Sequence, residues 1–337
     1  MTSVQYQLPA KGGHFALVPV PMAPDLGPNE ISIRTKAIGL NGLDWKNRAF
    51  GIMIQVWPAV LGVDASGIVQ AVGNEVQGFQ PGDEVFSLAG IEPKAGAFQE
   101  IFTVPAHFVA KKPSSLTFEE AASLPIISVT AAAAIAVGLH LPLPHLDPTG
   151  QSEHRLESIL VLGGSSGVGA AAIQYLRLAL PNARILTTSS AQHHKRLLSL
   201  GATRTFERTA DISDIKAATP GGSGVDAILD SVAAASQQAA IFDALSHTGP
   251  KLYSQVMTGQ NITPPKGVKG VVLFGRQIFG TKGGLAVITG LSQLIESGKF
   301  QLPTKVEVVG KGFDAIGPGL DRLMKGYISG NKFVVSI

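Results

Sequence analysis

The stretch Ile159 to Leu180, ILVLGGSSGVGAAAIQYLRLAL, passes from an apolar run through a cluster of glycines into a helical repeat. No other feature limits the fold of this chain as much. Such a sequence predicts a buried strand that turns tightly into a helix. The rhythm then recurs. RILTTSS leads into AQHHKRLLSLG, and after TRTFE come VDAILDSV, SQQAAIFDALS, KLYSQVM and GVVLFGRQI. Strands alternating with helices predict a parallel sheet covered on both faces, a doubly wound α/β arrangement. What remains open is whether the glycines cradle a phosphate or merely turn the chain.

Gly164, Gly167 and Gly169 hold the first, fourth and sixth places of the cluster. The dinucleotide-binding fingerprint has glycine first, third and sixth, and here Ser166 stands third. Gly164 is expected to permit the tight turn and Gly169 to let helix and strand pack closely. Ser166 is small enough for a pyrophosphate to approach the helix N-terminus. Ser165, Gly167 and Val168 complete the candidate cradle. The alternative is a bland strand-to-helix turn.

NAD sites carry an acid about 20 residues beyond the glycines, where it holds the ribose hydroxyls. Here the second strand ends in Thr187, Thr188, Ser189 and Ser190, and the next acid is Glu207. Ser189 and Ser190, followed by His193, Lys195 and Arg196, suit a 2′-phosphate and so favour NADPH. The competing reading is a solvated first turn with Ser190 as its N-cap.

The rest of the chain bounds the answer. Before about Pro125 the pattern is short β-like runs, such as ISIRTKAIGL and the pair in VQAVGNEVQGFQPGDEVFSL. From about Lys282 come a helix (GLAVITGLSQLIESG), a strand (KVEVVG), another helix and the terminal KFVVSI. The proline-rich LHLPLPHLDPTGQSEHRLES reads as an exposed loop. With 337 residues, 45% hydrophobic and 15% charged, the chain is long enough for two packed domains. A net charge of +3 without a basic cluster argues against nucleic acid. No apolar run approaches the roughly 20 residues that span a bilayer, and the N-terminus lacks signal-peptide blocks. A soluble, cytoplasmic protein is the expectation. Zero cysteines exclude disulfides, thiolate catalysis and sulfur-based zinc sites. The eight histidines show no convincing ligand spacing, so no metal is expected.

Nearly the full length resembles the zinc-free branch of the medium-chain dehydrogenase/reductase family. The resemblance rests on LGPNEISIRTKAIGLNGLDWK, PAVLGVDASGIVQAVGNEVQGFQPGDEVFSL, GAFQEIFTVPAHFVAKKPSSLTFEEAASLPIISVTAAAAI, the glycine cluster and GNKFVV. Within that branch, LDWK, GGSS and the insertion near Pro142 to Pro148 are similar to fungal ToxD-like oxidoreductases and trans-acting enoyl reductases of polyketide synthesis. The resemblance implies a GroES-like catalytic domain from residues 1–124 and 282–337, and a Rossmann domain over 125–281, with the active site in the cleft. Zinc-dependent members carry a cysteine near Asn41–Gly42 and GHE in place of Gly62-Val63-Asp64. Here the histidine's place holds Val63.

Two positions follow from the comparison. Lys46 matches a lysine near nicotinamide and substrate, and Thr130 a threonine beside the nicotinamide. Lys46 is expected to steady a developing enolate or deliver a proton through water, and Thr130 to hydrogen-bond the carboxamide or the substrate oxygen. Their bland alternatives are a solvated lysine and a capping hydroxyl. Trp45 reads equally as packing, and Asn41 as a structural hydrogen-bonding residue. Tyr253, in KLYSQVM, is placed at the carboxyl edge of the sheet on the cofactor side, although Ser254 and Val256 are open alternatives. AFGIMIQVWPAV, with Phe50, Met53, Ile54 and Trp57, reads either as pocket lining for an acyl chain or as core.

The implied activity is hydride transfer from NADPH to the double bond of an α,β-unsaturated thioester or carbonyl, by a stand-alone enoyl reductase of fungal secondary metabolism. A small-molecule or carrier-bound acyl substrate and a partner polyketide synthase go with it, in a monomer or homodimer. The alternatives are a quinone or enone oxidoreductase and a non-catalytic NADPH-binding protein.

Overall fold

The computed structural model describes residues 2–21 and 26–337. The chain divides into two compact units. One is continuous, Ile127–Gly290, and the other joins the segments Met1–Ile126 and Leu291–Ile337.

In chain order the elements begin with β1 (Thr2–Leu8), β2 (Ala16–Pro21), β3 (Glu30–Gly39), α1 (Gly42–Phe50) and β4 (Ala59–Val60). They continue with β5 (Asp64–Val72), β6 (Glu84–Leu88), β7 (Ile101–Pro105), β8 (Val109–Lys111), α2 (Phe118–Ala122) and α3 (Pro125–Ala136). Next come β9 (Ser158–Leu162), α4 (Gly167–Ala179), β10 (Arg184–Thr188), α5 (His194–Ser199), β11 (Arg204–Phe206) and α6 (Ile212–Ala217). After these lie β12 (Ala227–Asp230), β13 (Leu252–Val256), β14 (Lys269–Leu273) and α7 (Val287–Glu296). The remainder is β15 (Lys305–Lys311), α8 (Ile316–Met324) and β16 (Asn331–Ser336).

The continuous unit holds a parallel sheet in the order β11-β10-β9-β12-β13-β14. This is the doubly wound Rossmann order, in which the order of successive strands reverses between β9 and β12 while all run parallel. Every residue of β9 is buried, as the continuous SILVL requires of a strand covered on both faces. On one face Leu160, Leu162, Ile228, Phe242 and Tyr253 pack together.

Two expectations for this unit need correction. SQQAAIFDALS forms no α-helix: Ala239–Ala244 is a 3-10 segment entered through Gln238 without a side-chain cap. Its tighter winding still lays Ile241, Phe242 and Ala244 onto the core. The proline-rich insertion is irregular, yet it is not simply exposed. Leu139, Leu141, Leu143 and Leu156 are buried, while Pro142, Pro144 and Pro148 withhold the amides that a helix or strand would need.

In the split unit the larger sheet runs β15-β16-β3-β5-β6-β8, with β7 also on β3, and a smaller sheet runs β2-β1-β4. β3 alternates as its sequence predicts, Ile31 and Ile33 pointing into a core with Val69, Val85 and Phe102. β16 lies antiparallel to β3, so the two chain segments share one sheet. The apolar helical stretch Phe118–Ala136 is 19 residues long, but it is interrupted between α2 and α3 and is mostly buried within the protein.

Candidate active site

The glycine cluster lies at the carboxyl end of β9, where the strand order reverses. Gly163 takes the left-handed backbone conformation (φ 73°), so it makes the turn that the sequence assigned to Gly164. Gly164 is needed for another reason. A Cβ there would stand 2.0 Å from the Thr187 hydroxyl on β10. At Gly169 a Cβ would stand 2.4 Å from the Gly163 carbonyl oxygen, which is the close helix-to-strand packing expected of it.

Ser166 is the N-cap of α4. Its hydroxyl accepts from the Gly169 amide at 3.0 Å and meets the Ser231 hydroxyl at 3.0 Å. Ser231, just beyond β12, donates to the Leu162 carbonyl at 2.7 Å and so ties the two sides of the reversal point together. Among the described residues the amides of Ser165, Gly167 and Val168 have no acceptor. Three free N–H groups at the start of a 13-residue helix suit an anion. These residues therefore fit the pyrophosphate of a dinucleotide.

The exit of β10 differs in part from expectation. Ser189 is buried, and its hydroxyl donates to the Ser190 carbonyl at 3.2 Å, which leaves it only acceptor capacity. Ser190 sits at the N-cap of the next turn, yet its hydroxyl caps nothing. His193 is half-buried with its Nε2 3.2 Å from the side-chain Nε2 of Gln192, and Lys195 is exposed. The parallel neighbour β11 also delivers Glu207 here. Its carboxylate accepts from the Ala191 amide at 2.9 Å. The exposed Arg208 follows it, and its guanidinium has no partner among the described residues. Glu207 appeared remote in the sequence because the approach is made through strand pairing.

Tyr253 requires a correction. It is the second residue of β13 rather than near its carboxyl end. The ring is buried edge-on to Phe242, and its hydroxyl donates to Asp230 at 3.1 Å. Burial raises the phenol pKa, with the Asp230 carboxylate reinforcing the effect. Tyr253 is a core residue bonded within the sheet and leaves the cofactor set.

Thr130 lies on α3, buried but for a small fraction of its surface. Gly275 packs directly on it, since a Cβ at 275 would stand 2.6 Å from the Thr130 hydroxyl oxygen.

Lys46 belongs to the split unit, on α1, with its ammonium 5.5 Å from the centre of the Trp45 ring. Partial burial lowers its pKa from the ordinary lysine value. Trp45 packs with Ile54 and Trp57 on the core of this unit, whereas Phe50, Ile52, Met53 and Val56 are exposed. The AFGIMIQVWPAV stretch thus divides between both of its readings.

At the head of α1 the structure assembles a buried polar cluster. Lys332, from β16, donates to the Asn41 carboxamide oxygen and to Asp64 Oδ2 at 2.9 Å. The Asn41 Nδ2 donates to the same Asp64 oxygen at 2.9 Å and to the Gly39 carbonyl at 3.0 Å. Asp64 Oδ1 accepts from the Ile126 amide at 2.7 Å. Asp44 caps the helix, its carboxylate accepting from the Asn41 amide at 2.8 Å. Burial pushes the Asp44 carboxyl up to about 7, the backbone bond from Asn41 opposing and the Asp64 charge adding to it. Sequence reasoning missed Lys332, whose one signal was a lysine opening an otherwise apolar strand.

These residues do not fit a zinc ion. Asn41 and Val63 occupy the places where ligands are expected, and the Asp64 carboxylate is already committed to three donors. Among the described residues no three His, Asp or Glu side chains converge on a metal position.

Comparison with known proteins agrees with this architecture. Residues 27–114 match the alcohol dehydrogenase GroES-like domain, and residues 167–297 match the zinc-binding dehydrogenase family. The trans-enoyl reductase himH of Aspergillus japonicus is 30% identical, over 91% of this chain and 90% of that protein. The dehydrogenase pigH of Monascus ruber is 29% identical, over 98% of both chains. Among solved structures, an alcohol dehydrogenase superfamily protein from Novosphingobium aromaticivorans superposes with a TM-score of 0.80 at 24% identity, covering both chains in full.

Proposed function

From the premise that this chain is an oxidoreductase belonging to the medium-chain dehydrogenase/reductase family, we propose that it is an NADPH-dependent, metal-free reductase of activated carbon–carbon double bonds. Its substrate in this reading is an α,β-unsaturated thioester or carbonyl, carried as an acyl chain by a fungal polyketide synthase.

The observation that carries the reading is the cation at the head of α1. It is the Lys332 ammonium, held by Asn41 and Asp64 in residues unsuited to zinc. The alkoxide formed when hydride adds to a saturated ketone keeps its charge on one oxygen and is best stabilised by a Lewis acid. An enolate spreads its charge onto a carbonyl oxygen, and hydrogen-bond donors suffice for it.

Bound NADPH would supply the hydride. The amides of Ser165, Gly167 and Val168 would hold its pyrophosphate, and Ser190, His193, Lys195 and Arg208 would meet its 2′-phosphate. Thr130 orients the substrate oxygen or the carboxamide. Lys46 donates to the developing enolate oxygen and relays a proton through water; its lowered pKa makes that donation easier. The exposed Phe50, Ile52, Met53 and Val56 suit an apolar acyl chain.

The test is NADPH oxidation by the purified protein with an enoyl thioester, a simple quinone and a saturated ketone side by side. Turnover of the thioester, reduced only at its double bond, is the expected result. Activity confined to the quinone would transfer the protein to the quinone reductases, and NADPH binding without any turnover would make it a non-catalytic binder. Lys46→Ala is expected to lower kcat about a hundredfold or more, the low end for losing a general acid–base group, with the Kd for NADPH unchanged.

A further inference from the structure

The cluster at the head of α1 contains more charge than the core of this unit needs. Asp44, Asp64 and Lys332 are each at most 6% exposed. A buried ion pair is a poor source of stability, because apolar side chains of the same volume commonly serve as well or better. What such a pair can supply is a fixed geometry, and the bonding shows which groups are fixed. The ammonium of Lys332 reaches the carboxamide of Asn41, the N-cap of α1. The same ammonium and carboxamide converge on one oxygen of Asp64, while the other oxygen takes the Ile126 amide in the first turn of α3. The starts of two helices are therefore set by one carboxylate and one ammonium. Lys46 follows five residues after Asn41 on the first helix, and Thr130 one turn after Ile126 on the second.

We propose that Lys332 is a positioning residue: by holding Asn41 against Asp64 it fixes the start of α1 and with it the place of the Lys46 ammonium. The inference rests on the reading that Lys46 meets the substrate oxygen. Lys332 is enclosed by its partners and acts only through them.

A simpler role for Lys332 is to neutralise Asp64, and a double variant separates the two. Lys332→Met with Asp64→Asn removes both charges together. Neutralisation alone predicts a Tm and a kcat like those of the wild type. Positioning predicts a Tm near wild type, a kcat at least tenfold lower and an unchanged KM for NADPH.

A second readout needs no turnover. Acylation of Lys46 by an acetylating reagent is compared, by peptide mass spectrometry, with that of Lys195, which is exposed. In the wild type the two rates differ, because Lys46 is half-buried against Trp45 with its pKa lowered, whereas Lys195 is exposed. In the double variant the ratio of rates is expected to move at least threefold toward one. Asn41→Ala keeps the Lys332–Asp64 pair and removes the carboxamide that joins it to α1, so it should shift the ratio likewise and covers the case of a misfolded double variant. A wild-type acylation ratio in either folded variant overturns the proposal. Absence of turnover by the wild type would defeat the enoyl reductase reading, while the acylation ratio would still decide this one.

Discussion

At Asp44 a single carboxyl couples folding to pH. Because burial raises its pKa to about 7 from an ordinary value near 4, the folded chain holds that proton more tightly than the unfolded one. Its contribution to stability is complete below pH 4 and is lost as pH rises through 7. The full span corresponds to about 4 kcal/mol. Asp44→Asn should flatten the denaturation free energy between pH 4 and 7 relative to the wild type, as read from urea titrations across that range. Glu207 makes a different prediction. Its carboxylate at the exit of β10 would oppose a 2′-phosphate bound there, whereas the Ala191 amide needs only an acceptor. Glu207→Gln keeps the acceptor and removes the charge. The ratio of Kd values for NADH and NADPH should then shift about fivefold toward NADPH, the scale of one exposed charge interaction. An unchanged ratio would place the 2′-phosphate elsewhere.

The strand-turn-helix of β9 and α4 shows what could be read from sequence at the level of elements. The apolar SILVL, the glycines and the helical repeat are local signals, and each appears where its spacing indicated. What the local pattern could not give was direction and distance. It did not distinguish Gly163 from Gly164 as the left-handed residue, because two adjacent glycines satisfy the same turn. It could not tell which face of β13 Tyr253 occupies, since a strand buried on both faces loses its alternation. Glu207 and Lys332 were hidden for a related reason: their partners lie on other strands, and for Lys332 and Asn41 the separation is 291 positions. The fit of α4 to β9 is itself testable. Gly169→Ala puts a methyl group against the Gly163 carbonyl, and overpacking of this kind costs about 1–3 kcal/mol. Thermal denaturation should register that loss, and a fluorescence titration should show NADPH binding weakened together with it.

For the molecule as a whole, the absence of cysteine and the composition of the α1 cluster predict indifference to chelators. Prolonged dialysis against a zinc chelator should leave both Tm and turnover unchanged, with no stoichiometric zinc found by elemental analysis beforehand. A fall in Tm that zinc restores would contradict this assignment. The two units also differ in how the chain supplies them. Residues 127–290 complete their sheet from one uninterrupted run, whereas the sheet begun by β3 and β5 stays unfinished until β16 is available. During vectorial synthesis the second unit can therefore close while the first still waits for its sequence-distant strands. Through that interval Asp64 has no ammonium to meet, because Lys332 emerges from the ribosome after more than two hundred and sixty further residues. For the same period the split unit has both an open sheet edge and a carboxylate without its ammonium, so its closure is the last step in building the chain.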